Sequence, residues 1–93
     1  MSAISGQKSV TAAGTAEALG TTQINGPLMV KALAGNAGAV YLGNDGTPDV
    51  ASTNGLELAA GEVAVFEWVG NLGSLYLDAA NNGDGVAWLS LNV

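Results

Sequence analysis

Short apolar runs separated by Asn, Gly, Asp and Pro recur along this 93-residue chain. The pattern is clearest over Leu72–Val93. There, two apolar runs, Ser74–Ala79 and Gly85–Val93, flank the polar segment Ala80–Asp84. Asn82-Gly83 is a hairpin signal, because a type I′ turn needs positive φ at both central residues and Asn and Gly tolerate it best. The spacing predicts a closing hairpin whose second strand runs to Val93. Such a strand must be paired or covered, or it remains an open edge.

The rest of the chain follows the same grammar. Lys8–Ala13 alternates weakly, with Val10 and Ala12 on one side. Thr15–Leu19 reads as a second short strand or a turn of helix, and five residues are too few for an isolated helix. After the turn at Asn25-Gly26-Pro27, Leu28–Ala34 places Leu28, Val30, Ala32 and Ala34 on one face and Met29, Lys31 and Leu33 on the other. That predicts a strand covered on one side and partly on the other. Gly35–Gly38 reads as a hairpin loop leading into a strand over Ala39–Gly43. Leu56–Leu58 is a short strand, and Glu62–Val69 alternates Val63, Val65 and Glu67 against Ala64, Phe66 and Trp68. The chain thus predicts an all-β domain, a small antiparallel β-sandwich or jelly-roll-like barrel of about seven to eight short strands. No apolar run has the period or length of a helix, which sets α/β folds aside.

Two stretches stand outside the strands. Met1–Gln7 is small and polar without clear period, and is expected to be a flexible arm ahead of a single β domain over residues 8–93. Asn44–Gly55 is the longest irregular stretch, with turn signals at both ends and Pro48 between them. It predicts an exposed loop of the kind that carries function. The candidate partner-binding residues are therefore Met1, Ser2, Ala3, Ile4 and Ser5 in the arm, and Asp45, Thr47, Pro48 and Asp49 in the loop.

Composition narrows the chemistry. Cys and His are absent, and Lys8 and Lys31 are the only basic residues against eight carboxylates, a net charge of −6. Disulfides and thiolate metal sites are excluded, and the usual general base is missing. No enzyme activity and no cofactor is expected. Two lysines cannot supply the phosphate contacts of nucleic-acid binding, and anionic membranes are disfavoured for the same reason. Met1–Val10 carries no secretory signal pattern, and synthesis in a cytoplasm is expected. Asp78, Asn82 and Asp84 could be a calcium site, but their spacing is not that of an EF-hand and turn chemistry accounts for them. Asp45 and Asp49 are read the same way, so no metal site is assigned. Glu57, Glu62 and Glu67 lack the surroundings of a glycosidase pair. The aromatic residues, Trp68 and Trp88 among them, read as core, with an interface anchor as the alternative. Only 11% of residues are charged while 48% are hydrophobic. Soluble domains average about 25% charged, so the composition suits either a compact Ala/Gly-rich β domain or a surface largely covered by a partner.

The order of short motifs resembles that of small β-sandwich structural proteins of tailed phages, the capsid decoration (cement) and head-fibre proteins. The resembling stretches are Ser9–Ala16, Val30–Ala32, Asn36–Gly43, Leu58–Glu62, Leu75–Ala80 and Asn82–Val86. The resemblance implies a virion protein without catalytic residues. It would bind the major capsid protein on the outside of the capsid, reinforce capsomer junctions, and self-associate, with a homotrimer favoured. A head-fibre or receptor- or glycan-binding module is the alternative.

Overall fold

A computed structural model describes residues 2–44, 50 and 54–92. Eight strands form its framework: β1 (Ser2–Ser9), β2 (Glu17–Ala18), β3 (Leu28–Ala32), β4 (Val40–Gly43), β5 (Leu56–Leu58), β6 (Val63–Phe66), β7 (Tyr76–Ala79) and β8 (Gly85–Asn92). The one helical element described is a 3-10 turn, Leu72–Ser74, capped by the Asn71 side chain, which accepts the Gly73 N–H. The strands form two four-stranded sheets, a first in the order β1-β8-β3-β6 and a second in the order β2-β7-β4-β5. Every named pairing is antiparallel.

The pairs β1·β8, β2·β7, β3·β6 and β4·β5 are nested, as in one long hairpin with β4·β5 at its tip. Rolling that hairpin adds β3·β8 and β4·β7 and divides the strands between two sheets. This is the connectivity of a jelly roll, and it bears out the expected all-β sandwich.

The core lies between the sheets and follows the predicted alternation. Leu28, Val30 and Ala32 of β3 point inward between exposed Met29 and Lys31. Val40 and Leu42 of β4, Leu77 and Ala79 of β7, and Val86 of β8 complete the layer with Val10, Leu19, Ile24, Leu72 and Leu75. Each fully buried aliphatic side chain contributes on the order of 1.5–3 kcal/mol. Ser90 is a buried polar residue of this layer, and its hydroxyl donates to the Pro27 carbonyl at 2.9 Å. Trp88 packs against the core from β8, directly opposite Gly6, and a Cβ at Gly6 would stand 2.9 Å from its ring.

Three sequence expectations change. Met1 lies outside the described residues, and Ser2–Gln7, expected within a flexible arm over Met1–Gln7, belongs to a strand, Ser2–Ser9, in unbroken register with Asn92–Gly85. Its own alternation is weak, and it is the long partner β8 that holds it extended. The Ala80–Asp84 turn does not close a hairpin either. It is an arch that carries the chain from β7 in the second sheet to β8 in the first. Gly83 has φ of 86° while no non-glycine residue among those described has positive φ, so the two-residue type I′ geometry is absent. Gly35–Gly38 is likewise an arch, between β3 and β4. The β4–β5 connection is the one that joins neighbouring strands of the same sheet.

The closest approach of backbone lies at Gly85, where a Cβ would collide with the Lys8 carbonyl and the Ser9 Cα. Gly85→Ala is expected to cost about 2–3 kcal/mol through overpacking against an immobile strand. Gly35→Ala, whose Cβ meets nothing within 4 Å, is expected to be neutral within about 0.5 kcal/mol. Urea unfolding of the two variants checks the contrast, and equal losses would refute it.

Candidate interaction surface

Two features of the sheets bear on function: how the carboxylates are used, and what the outer face of the first sheet presents. The carboxylates near the arches are committed to backbone. Asp84 accepts the Ala37 N–H on one oxygen at 3.0 Å and the Gly38 N–H on the other at 2.9 Å. Asp78 Oδ1 accepts from Gly14 at 3.0 Å and from Ala79 at 2.8 Å. Asn82 Oδ1 accepts the Ala13 N–H at 2.7 Å. By accepting these N–H groups the oxygens tie loops together. Among the described residues no group of three or more acidic side chains could hold a metal ion.

Asn36 completes the same junction. Its amide donates to the Gly85 carbonyl and accepts the Gly85 N–H, at 2.9 and 3.0 Å. The Val10 N–H bonds the Asp84 carbonyl and the Leu33 N–H the Gly85 carbonyl. Asp84 and Gly85 therefore hold the 8–10 and 33–38 segments together. The bonds from Ala37 and Gly38, which favour the ionised form, hold the Asp84 carboxyl below its ordinary value against the opposing effect of desolvation.

Glu17 ties the β1 and β2 edges. Its Oε1 lies 3.0 Å from Lys8 Nζ and its Oε2 accepts the Thr11 N–H at 2.9 Å. The Thr11 bond, then Lys8, lower its pKa. Half-exposed as it is, this ion pair is worth at most about 1 kcal/mol.

The outer face of the first sheet differs in kind. Cross-strand register sets Ser5, Leu89, Met29 and Val65 in one row and Gln7, Ala87, Lys31 and Val63 in the next. Leu91 stands beside Ala3. Met29, Val63, Val65, Leu89 and Leu91 are 45–64% exposed. Two shallow depressions of about 190 Å³ each share Met29 and Leu89, one extending to Pro27, Val65 and Leu91, the other to Lys31 and Ala87. Lys31 is the single charged residue at the outward positions of these four strands, and none of them carries a carboxylate. Interaction sites on small domains commonly present contiguous apolar surface.

Of the candidate contact residues, Ala3 and Ser5 lie exposed at the β1 margin of this face, and Ile4 turns inward against the core. Ser2 joins β1 opposite Asn92. Met1, Asp45, Thr47, Pro48 and Asp49 lie outside the described residues. The strands flanking the loop group, β4 and β5, belong to the second sheet. Sequence reasoning missed Leu89 and Leu91 as surface residues. The available signal was that β8 is apolar at both parities, which a strand with one wet face is not. Trp68, expected in the core, is 62% exposed after β6, whereas Trp88 is packed on the core as expected.

Comparison with family models, with curated proteins and with solved structures finds no match to this chain. What the fold and surface define is a jelly-roll sandwich with one sheet face rich in exposed apolar side chains, on which Lys31 is the single charged group.

Because Asp84 and Glu17 are held below their unfolded values, their contribution is full above those values and is lost as pH falls through the folded ones. Thermal stability should therefore fall on acidification below about pH 4.5. Asp84→Asn should lower the melting temperature at pH 7 and shrink that acid-side decline. A variant with an unchanged acid limb would assign the decline to other groups.

Proposed function

We propose that this protein is a virion structural component that binds the outer surface of a phage capsid and reinforces capsomer junctions. One observation carries the reading: in a chain of net charge −6, the outward positions within the β1-β8-β3-β6 strands expose Met29, Val63, Val65, Leu89 and Leu91 and hold no carboxylate. Segregating charge away from one face preserves a docking surface that water would otherwise penalise. Lys8 is engaged by Glu17, which leaves Lys31 as the one basic group on that face. Such a surface suits protein on the capsid exterior and not packaged DNA. The motif resemblance and the jelly-roll connectivity support the same reading, the second only by analogy of fold. The role is structural, with binding as its whole chemistry.

A receptor- or glycan-binding module of a virion is the second reading. Exposed Trp68 favours it, since an open indole offers a stacking platform.

The test is co-sedimentation of the purified protein with mature capsids of a phage that encodes it, together with the melting temperature of the decorated shell. The wild type is expected to bind and to raise that temperature. Leu89→Glu, which sets a carboxylate into the contact, should weaken binding by at least about tenfold. Its own fold should be unchanged within about 0.5 kcal/mol. Absence of capsid binding by the wild type, or wild-type affinity in Leu89→Glu, would overturn the proposal, and glycan binding by the isolated protein would favour the second reading.

A further inference from the structure

The four sheet edges are not alike. β2, β5 and β6 are two, three and four residues long. Each has a glutamate within it or beside it: Glu17 in β2, Glu57 in β5, Glu62 and Glu67 flanking β6. Short length and charge are the usual protection of an edge against strand addition. β1 has neither. It runs eight residues, pairs with β8 without a bulge, and has no second partner strand among the described residues. It contains no proline, and its outward positions from Ala3 to Ser9 are uncharged. Its one charge, Lys8, turns toward the inner side and is held there by Glu17.

We infer that β1 is a strand-addition edge, and that its occupant is β1 of a second copy of this chain, antiparallel about a two-fold axis. Three arguments select a copy. An identical strand is the one edge of this protein long enough to match β1. The neutral outward row lets two chains of net charge −6 meet without like charges opposite one another. An edge of small Ser, Ala, Gly and Gln side chains also offers no pocket to select a foreign sequence, so backbone pairing between equal strands is what it provides. Side-chain alternation admits only registers in which like-facing residues stand opposite, centring the axis on Ser5 or Gly6. The two first sheets then become one eight-stranded sheet, with both apolar outer faces on the same side. This pairing is two-fold, in place of the three-fold association that the motif resemblance implies, and it stands independently of the capsid reading.

The test is sedimentation equilibrium of the full chain and of Ser5→Glu, with circular dichroism and melting temperature as controls on the fold. In either register Ser5 lies roughly 5–8 Å from its copy. The wild type is expected to be dimeric, and Ser5→Glu to dimerise about fivefold more weakly or worse while keeping its fold. Mixing Ser5→Glu with Ser5→Lys should restore a dimer that contains one of each. Gln7→Glu supplies the same readout should Ser5→Glu fail to fold. A monomeric wild type, a trimer, or a dimer indifferent to both acidic variants would overturn the inference. Capsid co-sedimentation of the wild type is read separately, so the failure of either proposal leaves the other standing.

Discussion

Three stretches far apart in the chain meet at Asp84 and Gly85, and the sandwich depends on that meeting. The main chain of Lys8–Ser9 lies against the Gly85 Cα, Asn36 clasps the Gly85 peptide from both sides, and the Asp84 carboxylate holds the Ala37 and Gly38 amides. These contacts fix where β8 begins. Once its start is fixed, the alternation of β8 decides which residues enter the core, because a slip of one residue would exchange Val86, Trp88 and Ser90 for Ala87, Leu89 and Leu91. The register of β8 in turn sets those of β1 and β3, its two neighbours. The junction is polar and local, yet it specifies the apolar packing of a whole sheet.

The individual strands were legible because alternation is a local property. Leu28–Ala32 announces both its existence and its inward face in five residues, whereas Val40–Gly43 announces its existence alone, and Tyr41 is buried along with Val40 and Leu42. The assignment of strands to sheets was not legible, for a physical reason. An arch between sheets and a hairpin within one need the same Gly and Asn residues to reverse the chain, and Ala80–Asp84 satisfies either. What separates them is the distant partner: Asp84 reaches 37–38, and Asn82 reaches Ala13, contacts that no window of ten residues contains. The arm prediction failed in the same way. Ser2–Ser9 has little strand preference of its own, and pairing along the full length of β8 overrides it.

The candidate surface was half legible. Met29 on the outward side of β3 was visible from alternation, and the low charge fraction already suggested a covered face. The row that gives the face its extent, from Ser5 through Leu89 and Met29 to Val65, joins strands β1, β8, β3 and β6, whose order follows from the nesting of the chain. Composition could count these apolar residues without placing them side by side. The acidic residues show the complement: Asp78, Asp84, Glu17 and Glu62 accept backbone N–H groups, and Glu57, Glu62 and Glu67 sit in or beside the short edges.

The nested pairing also gives the molecule a polarity. Ser2 stands opposite Asn92 on adjacent strands, so both ends of the described chain emerge side by side from one end of the first sheet, while the junction at Gly85 occupies the other. Any polypeptide continuing from either end would leave from this single corner, next to Leu91 and remote from the Asp84 clasp. Such an appendage would be oriented by the sheet itself, and two of them would be neighbours from their first residue.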